Sequence, residues 1–258
     1  MGTIDQEGPA ALGLPTGPAK TARVRSMFDA IAPRYDLVNR IMTLGLDQGW
    51  RRRTVSALAL APGSVVLDLA CGTGDLSRIA DRQGYRTLGA DLSWGMLASN
   101  ASGRPLFQAD ASALPLADAT IDGVVCGYAL RNFTDLEASL AEAARVLRPG
   151  GRLAVLEVAA PAGGLLRVGH RLWFERVVPV VGGILSDASA YRYLPRSTVY
   201  LPDEAGLRAM LRRVGFATVG RRLLDGGLSQ LLTATRAGLP PGPAAHLDPP
   251  GVPAIGGR

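Results

Sequence analysis

The sequence predicts an α/β fold: a doubly wound, mostly parallel seven-stranded sheet with an antiparallel hairpin at its C-terminal edge, N-terminal helices, and a helical insertion forming a lid. Three observations lead there. Short aliphatic runs alternate with helical stretches, the pattern of βαβ units wound on both faces of a parallel sheet. One of these runs leads into a glycine-bearing turn, Asp68 to Asp75, that opens a helix. The last two strand-like runs are joined by a short link at Gly226-Gly227, which suits a hairpin.

Both ends read as tails. Seven of residues 1–19 are Gly or Pro, and so are half of the 22 positions in 237–258. Such segments bury too little apolar surface to offset their ordering entropy. The folded domain is therefore expected over 20–236. Val24, Met27, Phe28 and Ile31 mark one face of a first helix, ended by Pro33. Leu37, Ile41 and Leu44 make a second short face, and Asp47 can cap a third helix carrying Trp50 and Leu58. Strands are expected at 65–70, 86–91, 123–128 and 152–158, with a further one ending near Gln108. Before the 152–158 strand, Thr134 and Glu137 have capping-box spacing. That helix would bury Leu136, Leu140 and Leu147 and end at Pro149-Gly150-Gly151. A helix-rich insertion, a helix near 203–213, and strands at 218–224 and 228–236 complete the chain. The segments 20–60 and 162–200 are the expected lid.

Composition narrows the function. At 47% hydrophobic and 19% charged, the chain can bury a sizeable core. No apolar run approaches the roughly 18 residues of a membrane span. The first ten residues lack a basic start followed by an apolar block, so no secretory signal is expected. Two cysteines and two histidines argue against a disulfide scaffold and against a metal site. The expected setting is cytoplasmic, with contact at the inner face of the plasma membrane as an option. The net charge of +6 is unevenly spread. Residues 64–161 carry 8 bases and 11 acids, whereas 20–63 carry 8 bases and 3 acids, and 162–236 carry 11 bases and 5 acids.

The turn Asp68-Leu69-Ala70-Cys71-Gly72-Thr73-Gly74-Asp75 is the sharpest local signal. Its glycines permit a tight bend and close approach of a ligand. A dinucleotide fingerprint would need a third glycine where Ser77 stands, and no Gly-Lys-Ser/Thr follows for a phosphate loop. Asp68 and Asp75 bracket the turn and would repel a pyrophosphate, so a cationic ligand suits it better. Asp91 ends the second strand, where a carboxylate can accept from both ribose hydroxyls. Asp110 and the amide of Ala111 can serve an adenine ring. A cationic nucleoside without phosphate fits this set, and S-adenosylmethionine is such a molecule.

At these residues the sequence resembles Rossmann-fold S-adenosylmethionine-dependent methyltransferases, and more narrowly the ubiquinone/menaquinone biosynthesis C-methyltransferases, over about residues 23–236. Phe28 and the segment Ala32-Pro33-Arg34-Tyr35-Asp36-Leu37-Val38-Asn39 carry it, with Gly45 leading to Trp50-Arg51. Ala129-Leu130-Arg131-Asn132, Arg145 to Gly151, Leu156-Glu157 and Tyr191-Arg192-Tyr193-Leu194 follow in register. The resemblance implies cofactor contacts at Thr73, Asp91, Asp110, Ala111 and Gly127, together with Asp68, Gly72 and Gly74 of the turn. It implies C-methylation of a polyprenylated quinol, with demethylmenaquinol the first choice and a benzoquinol the alternative. Arg131 and Asn132 would handle the phenol oxygen, Tyr193 would face the quinol, and Tyr35, Asp36 and Asn39 would line the lid. Gly127 stands where many relatives have serine, Asp47 where they often have histidine, and Ala129 replaces a glycine.

Other classes fit less well. A nucleic-acid methyltransferase usually needs Asn/Asp-Pro-Pro-aromatic after the fourth strand, where this chain has Gly127-Tyr128-Ala129-Leu130. A near match, Asp248-Pro249-Pro250-Gly251, lies in the tail. A small-molecule O-methyltransferase would need a base such as His170, and a non-catalytic cofactor-binding scaffold is a third reading. Leu165, Val168, Leu172 and Trp173 share a helical face opposite Arg167 and Arg171. That face either packs on the sheet or meets an anionic membrane. No nucleic-acid partner is expected, and a homodimer is left open.

Overall fold

The computed structural model describes residues 13–159 and 196–238, and between these only 161, 163, 164, 168, 169, 172, 173, 176 and 193. The expected tails 1–12 and 239–258, most of the lid insertion with Leu165, Arg167, His170 and Arg171, and Tyr191, Arg192 and Leu194 lie outside the described residues.

The sheet has seven strands: β1 (Val65–Leu69), β2 (Arg86–Asp91), β3 (Leu106–Gln108), β4 (Ile121–Gly127), β5 (Leu147–Val158), β6 (Phe216–Leu224) and β7 (Ser229–Arg236). Their order is β3-β2-β1-β4-β5-β7-β6. The first five are parallel, and β7 runs antiparallel to both β5 and β6. The chain winds outward from β1 to β3, then crosses back to place β4 on β1's other side. Ligands of open α/β sheets bind beyond the carboxyl ends of the strands at such a reversal.

Side chains of the central strands alternate between two cores, as a period of two requires. Leu67, Val124, Cys126, Leu153 and Val155 join α6 (Leu136–Val146) and α7 (Glu204–Arg213) in one cluster. Val66, Val125, Ala154 and Leu156 meet α3 (Leu46–Ser56) and α4 (Asp75–Arg82) in the other. Two further helices, α1 (Gly17–Ile31) and α2 (Tyr35–Met42), precede α3, and the short α5 (Trp94–Ala98) follows β2.

Several local expectations shift. The fold begins before residue 20: Leu14 is buried, the Pro15 carbonyl accepts from the Tyr200 hydroxyl at 2.6 Å, and α1 starts at Gly17-Pro18. Proline at a first helical position loses no hydrogen bond, so Gly-Pro here starts a helix rather than marking a tail. Asp47 lies in the first turn of α3, which is capped at Gly45; its carboxylate is taken by side chains. Helix α6 is capped by Asp135, which accepts from Ala138 N at 2.9 Å, while the Thr134 hydroxyl bonds Thr21. Leu147 to Gly151 belong to the irregular start of β5, because Ile121 pairs with Leu147 before the register shifts. Val38 and Met42 form the buried side of α2, so Leu37, Ile41 and Leu44 face outward.

Candidate active site

A cleft opens where β1 and β4 end. It is lined by Gly72, Asp91, Ser93, Met96, Asp110, Ala111, Gly127, Tyr128, Asn132, and by Phe28 and Tyr35 from the N-terminal helices. Two non-glycine residues there adopt left-handed backbone: Ala70 after β1 (φ 57°) and Tyr128 after β4 (φ 59°). For a bulky aromatic this costs about 1–3 kcal/mol, and such strain collects at sites whose surroundings hold it. Tyr128 is held by a 2.6 Å bond from its amide to Leu156 O and by its hydroxyl on Ser229 Oγ at 3.0 Å.

The turn after β1 is tied down from within. Asp68 is buried, and its Oδ2 accepts from Ser77 N (2.9 Å) and Ser77 Oγ (2.7 Å). Burial raises its pKa to about 7, against the pull of Ser77 and Arg51. Asp68 thus sits behind the turn and anchors the start of α4. At Gly74, with φ 88°, an added Cβ would lie 2.5 Å from Asn100 Oδ1, and the Asn100 amide closes the loop on Gly72 O at 2.8 Å. The Thr73 hydroxyl bonds Asp36 of α2 at 2.5 Å, joining the turn to the helical cap. Asp75 is occupied too. It pairs with Arg78 and, at 3.5 Å, with Arg51; despite burial these two arginines hold its pKa below the usual carboxylate range. The idea that Asp68 and Asp75 present charge to a cationic ligand therefore gives way. Both carboxylates are turned inward, one to a helix N-terminus and one to arginines.

The carboxylates that line the cleft are Asp91 and Asp110. Asp91 accepts from Gly72 N and Ser93 N, both at 2.8 Å. Burial nevertheless raises its pKa. Asp110 uses Oδ1 on Ser112 N (2.9 Å) and Ser112 Oγ (2.7 Å). Each is fixed through some of its lone pairs, and a carboxylate has about four acceptor sites, so capacity remains for hydroxyl or amino donors. At Gly127 an added Cβ would stand 3.0 Å from Leu76 Cδ1, so the backbone is what this position offers. These features fit S-adenosylmethionine: acceptors at two strand ends for ribose and adenine, with Gly72, Ala111 and Gly127 lining the cleft between them.

Next to the cleft lie two buried arginines. Arg51, on α3, bonds Asp47 at 3.3 Å, and its guanidinium stands 5.7 Å from the centre of the Tyr128 ring. Burial opposes its charge, but Asp75 and its other neighbours outweigh that and raise its pKa. Arg131 follows β4. It pairs through Nη1 with Glu157, which has no solvent exposure, and its Nε donates to Ser197 Oγ at 3.2 Å. Tyr35 feels both cations: burial raises its phenol pKa, Arg51 and Arg131 pull it back, and Asn39 hydrogen-bonds it. Tyr193 is buried near Arg131, and burial pushes its phenol up to about 12. Among the described residues, the buried Asp68 Oδ1, Asn132 Oδ1, Glu157 Oε2 and Tyr193 hydroxyl lack hydrogen-bond partners. Glu157 and Tyr193 both neighbour Arg131, and unsatisfied buried groups are costly for a purely structural core.

A profile for the ubiE/COQ5 methyltransferase family matches residues 17–236, nearly all of the described chain. The chain belongs to the ubiE/COQ5 methyltransferase family. A ubiquinone/menaquinone biosynthesis C-methyltransferase of Syntrophotalea carbinolica is 41% identical over 222 residues, covering 83% of this chain and 94% of that one. A demethylmenaquinone methyltransferase of Thermus thermophilus is 43% identical over 221 residues, covering 81% and 100%. Among solved structures, a possible histamine N-methyltransferase of Thermotoga maritima shares the fold (TM-score 0.58, 19% identity, 82% and 99% covered). This ubiE/COQ5 member is an S-adenosylmethionine-dependent C-methyltransferase.

Of the residues singled out in the sequence, the cleft gathers Gly72, Asp91, Asp110, Ala111, Gly127, Asn132 and Tyr35. Thr73, Gly74, Asp36 and Asn39 stand behind them as supports, and Arg131 and Tyr193 lie adjacent. Ser93, Met96 and Tyr128 carry no site role in the sequence reading, and Arg51 and Glu157 stand there only inside the family motifs, without a role. Ser93 carried a signal, being two residues past Asp91 and the cap of α5, where it accepts from Met96 N at 3.1 Å.

Proposed function

We propose that this C-methyltransferase acts on a polyprenylated quinol, with demethylmenaquinol as its substrate and menaquinol as its product. The observation that carries the reading is Tyr35. It lines the same cleft as Asp91 and Asp110, yet lies within the field of two buried guanidinium groups. A quinol losing a hydroxyl proton becomes a phenolate, and guanidinium groups placed in this way favour that anion against the cost of burial.

S-adenosylmethionine, when bound, supplies an electrophilic methyl group, and the ring carbon that takes it gives up its own proton. Carbon is a poor nucleophile until the neighbouring oxygen carries negative charge. In this reading Arg131 stabilises that charge, as preorganised cations do in a water-poor site. A guanidinium has donors only and no acceptor, so it is no direct base, and proton transfer proceeds through water. Asn132 offers a side chain to the same oxygen, Tyr35 and Tyr193 hold the ring, and Asp36 and Asn39 keep the lid helix in register. Such alignment is worth about 7–11 kcal/mol in well-oriented systems. Asp68, Gly72, Thr73, Gly74, Asp91, Asp110, Ala111 and Gly127 hold or shape the cofactor side.

The relatives carry both menaquinone and ubiquinone names, so benzoquinol methylation is the competing substrate assignment. We also propose a cytoplasmic enzyme that meets the inner face of an anionic membrane, because a polyprenyl tail resides in lipid. Quinone profiling after deletion of the gene in its host tests the choice. Accumulation of demethylmenaquinone is the expected result. Normal menaquinone with a block in ubiquinone synthesis would overturn it.

A further inference from the structure

Four of the eight large hydrophobic residues exposed in the described structure fall within ten positions: Leu37 (55% exposed), Ile41 (37%), Leu44 (73%) and Leu46 (43%). Leu37 and Ile41, four positions apart on α2, share one face of that helix, and exposed Leu44 and Leu46 follow in the turn and helix start just beyond it. Arg40, exposed on the same helix, falls about 60° to one side of Leu37, and exposed Arg34 immediately precedes the helix. Long basic side chains at such positions can cover apolar surface while keeping their charge in the polar layer.

The acids of this region are directed inward. Asp29 accepts from Ser93 Oγ (2.6 Å) and Gly95 N (2.8 Å), Asp36 from Thr73, and Asp47 from Thr43 Oγ1 (3.0 Å) and Arg51. These are all three acids of residues 20–63. The same segment exposes Arg23, Arg40 and Arg52 to solvent, while Arg25 stands at the cleft. Among the described residues of this segment, the outer surface is therefore apolar and cationic, and the segment's own three carboxylates are engaged elsewhere. The inner side of α2 reaches the site, through Tyr35 in the cleft and Asp36 on the glycine turn. Trp173 Nε1 donates to Met42 O at 2.9 Å, which brings exposed Leu172 to the same corner.

We infer that the outer face of α2 docks on an anionic lipid bilayer and so sets the cleft against the membrane that holds the substrate's tail. The inference rests on the polyprenylated-quinol reading and adds the surface that meets the lipid. Leucines enter the headgroup boundary while the flanking arginines meet lipid phosphates. A second copy of the chain is a poorer occupant, because an isologous contact would set these arginines against themselves.

The test is co-sedimentation of the full chain with phosphatidylcholine vesicles, with and without phosphatidylglycerol. Binding is expected to the anionic vesicles and to weaken with salt. The triple variant Leu37→Glu, Ile41→Glu, Leu44→Glu should lose at least about tenfold in partitioning. Its S-adenosylmethionine affinity and its turnover of a short-chain, water-soluble quinol should stay unchanged, which also shows that it folds. Arg40→Gln should weaken binding to anionic vesicles alone. Equal binding of the wild type to both vesicle types would overturn the inference, as would undiminished binding by the triple variant. So would a wild-type dimer that this variant dissolves. The vesicle arm needs no quinol: its failure leaves the methylation reading standing, while lipid binding without quinol methylation strikes that reading alone.

Discussion

Arg51 and Arg131 are both buried, both lie near Tyr35, and both sit on carboxylates, yet their surroundings differ. Arg51 belongs to a closed network. Asp47 and Asp75 flank it, Arg78 shares Asp75, and Asp36 lies 3.8 Å from Arg78 while holding Thr73. Every charge in that network has an opposite neighbour, and the network joins the helical cap to the cofactor turn. Arg131 has one carboxylate, Glu157, whose second oxygen is unpartnered among the described residues, as are Asn132 Oδ1 and the Tyr193 hydroxyl nearby. A saturated network locks structure. An unsaturated one keeps hydrogen-bonding capacity for something that arrives later. The proposed roles follow that contrast: Arg51 as a structural lock, Arg131 as the group that meets the substrate, and Glu157 as its positioning residue.

The comparison breaks most visibly in turnover. Arg131→Ala should lower kcat by about 10²–10³-fold, the usual loss for one preorganised charge-stabilising donor, with S-adenosylmethionine affinity nearly unchanged. Steady-state kinetics and cofactor titration would show it, and a kcat within threefold of wild type would refute the assignment. Glu157→Gln should act in the same direction but less strongly, since Arg131 stays in place with a weaker anchor; Glu157→Asp should partly restore kcat. Arg51→Ala should instead appear in stability, at about 3–5 kcal/mol in urea unfolding, because it leaves buried carboxylates unpaired. If it lowered kcat as much as Arg131→Ala without loss of stability, the contrast between the two would fail.

Smaller effects sharpen the cofactor side. Asp91→Asn should weaken S-adenosylmethionine binding by about tenfold to a hundredfold, the worth of a charge-assisted hydrogen bond, as read by calorimetry. Asp68 should produce the smallest effect, and one of unusual sign. Its folded pKa of about 7 exceeds the ordinary carboxylate value, so between about pH 4 and 7 the folded state holds the extra proton. Its contribution therefore favours folding in acid and is lost as pH rises through 7. Asp68→Asn should remove that slope, making the variant gain on wild type between pH 5 and pH 8 in paired urea titrations. An unchanged pH dependence would show that Asp68 is already ionised across that range.

Much of this was legible in the sequence because it is local. A strand, a Gly-x-Gly turn and a carboxylate at the next strand end sit within about 25 residues; of the residues they pointed to, Gly72 and Asp91 line the cleft and Gly74 supports the turn behind it. Charge direction was not legible. Asp75 looks like a ligand group until Arg51, 24 residues earlier, is seen beside it, and Asp68 until Ser77 folds back onto it. Arg131 and Glu157 were each visible inside family motifs, but their pairing comes from β5 lying beside β4, a matter of topology rather than spacing. The outward turn of Leu37, Ile41 and Leu44 was hidden for a related reason. Periodicity shows that a face exists, and only packing shows whether it is the one covered.

The central claim is carbon methylation of a reduced quinol. Its direct test is one turnover with S-adenosylmethionine bearing a carbon-13 methyl group and demethylmenaquinol, with the product read by NMR. The label should appear as a methyl on a ring carbon, and the oxidised quinone should remain unlabelled under the same conditions. A methoxy signal, or no transfer to the quinol while the cofactor binds normally, would contradict the account.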